Sequence, residues 1–77
     1  MNAKIKPNRV EIDTRLYAMA YGRSPKGRGG WAFHPDADVA ATDPSIIWTP
    51  SMTYDEARRV ARKIAARRGW DYLVALT

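Results

Sequence analysis

The sequence predicts a small α+β domain: three strands in an antiparallel meander, one amphipathic helix packed on one face of the sheet, and a C-terminal strand. Three observations predict it. Apolar and polar residues alternate with a period of two from Val10, apolar residues recur every three or four positions after Thr53, and Gly and Pro separate these segments. The chain has 77 residues and no Cys, so we expect one domain with a small core and no disulfides.

The N-terminal segment divides into an arm and a first strand. Residues 1–9 are polar and basic and contain Pro7, and they offer too little apolar surface to offset the entropy of ordering. We therefore expect a flexible basic arm over 1–9 and a single domain over 10–77. The alternation that starts at Val10 predicts a strand that reaches Tyr21.

A glycine-rich turn and a returning strand follow. Residues 22–30 contain four Gly and one Pro in nine positions, which predicts a flexible hairpin turn. The turn carries Arg23, Lys26 and Arg28 without an acidic residue. Residues Trp31 to His34 then predict the second strand of the hairpin.

An acidic loop leads to the third strand. Residues 35–45 include Asp36, Asp38 and Asp43, and their Asp-x-Asp and Asp-Pro pieces favour turns. The β-branched and aromatic run over 46–49 predicts a short strand that ends at Pro50.

The helix has signals at both ends. Thr53 and Glu56 have the spacing of a capping box, and Gly69 suits the left-handed position that follows a helix. These residues predict a helix over 54–68. Its apolar stripe comprises Ala57, Val60, Ala61, Ile64 and Ala65.

Residues 70–77 alternate again and predict a closing strand, which completes the order β-β-β-α-β. If strand directions alternate, the fourth strand runs parallel to the first, beside it, in the order 4-1-2-3. The large residues expected between helix and sheet are Trp31, Phe33 and Trp48. The residues expected on the open face are Tyr17, Met19, Tyr21, His34 and Ile47.

Three strands followed by a helix form a recognisable architecture. A Trp, Trp48, precedes the T-x-x-E-A start of the helix at Thr53. Over Leu16 to Arg68 this arrangement resembles the small DNA-binding domains at the ends of some integrases. The resemblance is one of architecture, and no residue role follows from it.

Charge is the main functional signal. The chain has 13 Lys and Arg against 8 Asp and Glu, a formal net charge of +5. The middle of the helix carries four basic residues that the helix dipole does not explain: Arg58, Arg59, Arg62 and Lys63. Together with Arg23, Lys26 and Arg28 they predict contacts to phosphates of DNA or RNA, or to carboxylates of an acidic protein. A solvated helix face is the simpler alternative.

Two classes of function follow from these features. The first is a nucleic-acid-binding module that uses the basic helix face and the glycine-rich loop. The second is a small interaction or inhibitor protein, of the phage or mobile-element type. It would dock on an acidic protein surface or form a homodimer through Tyr17, Met19 and Tyr21. These three residues also suit base stacking, although protein contact or plain packing is favoured.

No catalytic residue, cofactor or metal is expected. His34, Asp36 and Asp38 match no metal-ligand spacing, and no Ser or Asp arrangement typical of a nucleophilic site surrounds His34. No apolar run reaches the roughly 20 residues of a membrane span. The absence of Cys is typical of a cytoplasmic protein, and the Ala and Arg content suggests a bacterial or phage source.

Overall fold

A computed structural model describes residues 6–77 of the chain. In chain order, its elements are β1 (Glu11–Asp13), α1 (Arg15–Tyr21), β2 (Arg28–Gly29), β3 (Ala32–His34), β4 (Ile47–Trp48), β5 (Met52–Thr53), α2 (Tyr54–Arg67) and β6 (Tyr72–Ala75). A 3₁₀ turn over Pro7–Arg9 precedes them. The predicted α+β class, with one main helix and a C-terminal strand, is confirmed.

Four strands form the main sheet in the order β1-β6-β3-β4. Strand β6 runs parallel to β1 and antiparallel to β3, as predicted for a C-terminal strand beside the first. The predicted order 4-1-2-3 is wrong, however, because β6 lies inside the sheet between β1 and β3. Leu73, Val74 and Ala75 are all buried. A strand buried on both faces belongs at the centre of a sheet, not at its edge.

The first predicted strand is mostly a helix. Only β1 is extended, and α1 follows it directly. The backbone N–H of Arg15 donates to Asp13 Oδ1 at 2.9 Å, and Gly22, with φ of 70°, ends the helix. The Leu and Ala residues of this segment are strong helix formers, so the alternation predicted the wrong element. The antiparallel meander and the resemblance to integrase domains both required a strand here, and neither holds.

Helix α2 covers one face of the sheet, here called the inner face. The core lies between them and comprises Val10, Trp31, Phe33, Ile47, Ala57, Ala61, Ala65, Ala66, Leu73 and Ala75. The small alanines allow the helix to lie close to the sheet, so Phe33 is completely buried.

The other face of the sheet, here called the outer face, carries Trp48, which was expected in the core. Ile47 pairs with Phe33 and shares its inner position, so its neighbour Trp48 points outward and is 64% exposed. The expected positions of Ile47 and Trp48 are therefore both reversed. Helix α1 packs against β6, and its Leu16 lies beside Trp48 on the outer face.

The predicted end signals of α2 are confirmed. Thr53 and Glu56 form both hydrogen bonds of the capping box. At the other end, Gly69 has φ of 79°, and the backbone N–H of Trp70 donates to the Ala65 carbonyl at 2.8 Å. The predicted stripe is wrong at Val60, which is 37% exposed.

The 3₁₀ turn Pro7–Arg9 packs on α2. Ala66 of α2, outside the predicted stripe, is also buried. The predicted arm over 1–9 falls partly on residues 1–5, which lie outside the described residues. Neither helix in the described part of the chain is long and apolar enough to cross a membrane.

Candidate nucleic-acid interface

A cleft of about 300 Å³ opens between α1, the loop over 22–30 and the outer face of the sheet. Its side walls combine aromatic residues and cations: Tyr17, Tyr21, Trp31, Trp48, Arg23, Lys26 and Arg28. Gly29, Gly30, Ala32 and the last two residues of the chain complete it. The structure therefore brings the predicted basic loop residues together with two of the three predicted interface residues.

The aromatic wall of the cleft is built on α1 and on Trp31, which directly precedes β3. Tyr17 and Tyr21 are one helical turn apart, and their ring centroids lie 4.5 Å from each other. Tyr17 also packs on Trp31 at 5.7 Å. The Trp31 indole is held in place by a hydrogen bond from Nε1 to the Met52 carbonyl at 3.0 Å. This wall is therefore rigid at its base, while Tyr21, 54% exposed, forms the rim.

Met19 does not belong to this wall. It is 84% exposed and lies two residues from both Tyr17 and Tyr21 on α1. Two residues along a helix correspond to a rotation of about 200°, so Met19 points away from the cleft. The predicted face that combines all three residues is wrong, because it assumed a strand.

The basic wall of the cleft is anchored to the helix start. Arg28 and Gly29 form β2, which pairs antiparallel with β5, the strand that leads directly into α2. The Gly27 carbonyl accepts a hydrogen bond from the Tyr54 N–H at 3.0 Å, and Pro25 is buried. The predicted hairpin turn is wrong, because α1 precedes the segment and β2 pairs with β5; residues 22–30 form a loop that these contacts attach to the start of α2.

The positive charges of the loop are largely uncompensated by acidic side chains. Among residues 6–77, none of Arg23, Lys26 and Arg28 forms an ion pair. Arg28 Nη1 donates to the Ser51 carbonyl at 3.4 Å. The pKa of Glu56 is lowered chiefly by hydrogen bonds from Thr53 and less by the charges of Arg28 and Arg59. Glu56 thus offsets part of the charge of Arg28.

The predicted basic face of α2 is divided. Arg58 Nε donates to Asp55 Oδ1 at 2.9 Å, so an acid compensates its charge. Arg59, Arg62 and Lys63 line a separate groove of about 190 Å³ together with Pro7 and Asn8 of the 3₁₀ turn. Arg62 Nε is buried and has no hydrogen-bond acceptor among the described residues. The four residues therefore do not form one open patch.

The acidic loop lies outside the lining of the cleft. Asp36 Oδ1 accepts the N–H of Asp38 at 2.9 Å, and Asp43 Oδ1 accepts the N–H of Ser45 at 2.8 Å. These Asx turns confirm the predicted structural role of the two acids. Within residues 6–77, no group of three or more His, Asp or Glu could hold a metal ion.

His34 has Ser and Asp neighbours that sequence analysis did not anticipate. Its Nδ1 accepts the Asp36 N–H at 2.9 Å, so Nε2 carries the proton of the neutral ring and donates to Ser45 Oγ at 2.8 Å. The Ser45 hydroxyl in turn donates to Asp43 Oδ1 at 2.6 Å, which lowers the pKa of Asp43. A general base must accept the hydroxyl proton, and His34 does the reverse. These hydrogen bonds join the two ends of the loop over 35–45.

Trp48 is the cleft residue that sequence analysis misplaced. The strand contains two adjacent β-branched residues, Ile46 and Ile47, and either could have faced the core. The alternation therefore left the direction of Trp48 undetermined, and only the pairing of Phe33 with Ile47 decides it.

Comparison with known proteins gives no assignment for this arrangement. No protein-family model matches the chain, and neither the curated proteins nor the solved structures contain a detectable relative.

Proposed function

We propose that the protein binds nucleic acid, DNA or RNA, through the cleft, with Arg23, Lys26 and Arg28 holding phosphates. The observation that carries the proposal is the convergence of three loop cations and exposed aromatic rings in one recess. A nucleic acid presents closely spaced phosphates beside flat bases. The cleft offers cations for the phosphates and aromatic rings for the bases. The net charge of +5 supports binding by attracting polyanions.

The groove on α2 provides a second contact region. Arg59, Arg62 and Lys63 carry three positive charges there. We assign to these residues the contacts with flanking phosphates. Arg58 has only a minor part in these contacts, because Asp55 compensates its charge. A cytoplasmic location, where nucleic acid is accessible, belongs to the same proposal.

Binding of labelled oligonucleotides at several salt concentrations tests the proposal. In Arg23→Ala/Lys26→Ala/Arg28→Ala, the plot of log affinity against log salt should flatten by up to about 2.1–2.7 units, since each of the three lost phosphate contacts removes about 0.7–0.9. A matched control, Lys6→Ala/Arg9→Ala/Arg67→Ala, removes the same charge from residues that do not line the cleft.

The control should retain most of the salt dependence. Equal losses of salt dependence in both variants would show that net charge alone drives binding and that the cleft has no special role. The absence of measurable affinity near 150 mM salt in the wild-type protein would contradict the proposal as a whole.

An acidic protein partner is the alternative. Trp48 is 64% exposed and shares the cleft with Arg28, and exposed Trp and Arg are typical of the centres of protein interfaces. A docking or inhibitor function would use the same wall through carboxylates in place of phosphates. Failure of oligonucleotide binding would favour it. Self-association through Tyr17, Met19 and Tyr21 is no longer supported, since Met19 lies on another face.

A further inference from the structure

A second recess continues the cleft on the outer face of the sheet. This apolar groove has a volume of about 200 Å³ and shares Ala32, Trp48, Leu76 and Thr77 with the cleft. Its remaining walls are aliphatic and include Leu16, Val39, Ala41 and Ile46. Trp48 therefore stands between a cationic recess and an apolar one.

The shape of this surface is unsuited to contacts with the bases of a duplex. Proteins reach base edges of a duplex by inserting a protruding helix or ribbon into a groove about 12 Å wide. Here the cations and aromatic rings line recesses of about 300 and 200 Å³ instead. The bases of a duplex are stacked on each other and cannot enter such recesses, whereas the bases of a single strand can be splayed out.

We infer that the ligand is single-stranded nucleic acid, with one base stacked on Trp48 and the next base inserted in the apolar groove. This inference rests on the proposed function. The phosphates of the strand lie toward Arg23 and Lys26, at the far side of Trp48. Among the described residues, the side chains that line the apolar groove are aliphatic apart from Trp48 and Thr77. Aliphatic and aromatic side chains contact base faces, which predicts binding with little sequence preference.

Competition among three oligonucleotides of equal length tests the inference: a single strand, the same strand with abasic sites, and the matching duplex. Binding is followed by fluorescence anisotropy. We expect the abasic strand to bind at least about 5- to 150-fold more weakly than the complete strand, since the loss of one stacked base already has an effect of this size. The duplex should compete poorly.

The variant Trp48→Ala should weaken binding of the complete strand by a similar factor and leave binding of the abasic strand unchanged. Trp48→Phe keeps an aromatic face and should retain most of the affinity. Ala41→Glu is a second, independent variant, because it places a negative charge in the groove at an exposed position. It should weaken binding of the complete strand without affecting the fold, which circular dichroism checks.

The possible results separate the two proposals. If the duplex or the abasic strand binds as tightly as the complete strand, base stacking is refuted while nucleic-acid binding stands. If none of the three oligonucleotides binds, the proposed function fails and this inference fails with it.

Discussion

Replacement of Thr53 by Ala tests the start of α2 directly. The Thr53 hydroxyl accepts the Glu56 N–H at 3.2 Å and donates to Glu56 Oε1 at 3.0 Å. Both hydrogen bonds disappear in Thr53→Ala. A third, from the Thr53 backbone N–H to Glu56 Oε1 at 3.0 Å, does not involve the side chain and remains.

The expected loss is about 1 kcal/mol of unfolding free energy, within the roughly 0.5–2 kcal/mol range for such caps. The exposed position of Glu56 favours the middle of the range, because water can hydrate the released N–H. For a domain of this size, 1 kcal/mol lowers Tm by about 4–8 °C.

Urea unfolding monitored by circular dichroism measures the change. The midpoint should fall while the slope m stays constant, since the substitution barely alters the surface that unfolding exposes. Thr53→Ser is the matched control, because it keeps the hydroxyl and should change the free energy of unfolding by no more than a few tenths of a kcal/mol. A loss in Thr53→Ala below about 0.3 kcal/mol would refute the capping argument.

The loop, the first strand and the centre of the sheet provide three more tests. Backbone order parameters measured by NMR should be near 0.85 at Gly29, as in rigid backbone, and lower at Ser24; uniformly low values would contradict the anchoring by β5. The pKa of Asp13 is held well below its usual range by hydrogen bonds from Arg15, with a smaller contribution from Tyr72. Its stabilising contribution is therefore complete above about pH 4 and lost as the pH falls through the lowered pKa. The stability difference between the wild type and Asp13→Asn should shrink at acid pH, and a constant difference would contradict this linkage. Leu73→Ala should cost about 2–5 kcal/mol in urea unfolding, because the side chain is completely buried in the central strand; a cost below about 1 kcal/mol would contradict that position.

Local signals in the sequence determined α2. The capping box at Thr53, the apolar period and the left-handed Gly69 each act within one or two helical turns, so they do not depend on the rest of the chain. The Asx turns of the acidic loop and the position of the glycine-rich loop are local in the same way. Sequence analysis therefore found these elements and the three basic residues of the loop.

Tertiary structure decided the elements whose local signals were ambiguous. The segment Arg15–Tyr21 contains both an alternating pattern and good helix formers, and its helix is stabilised by packing on β6. Trp48 faces the cleft because Ile47 pairs with the buried Phe33, a contact between residues far apart in the chain. Strand β6 is likewise central because the residues on both of its faces are buried by the rest of the fold.

The candidate site also depends on tertiary structure. Arg23 and Lys26 were recognisable as cations of a loop, but their proximity to Trp48 follows from the pairing of β2 with β5 and of β3 with β4. Such pairings join segments more than a dozen residues apart, and no pattern of local period encodes them. The sequence by itself determined which charges the protein carries, and the fold decided which aromatic rings stand beside them.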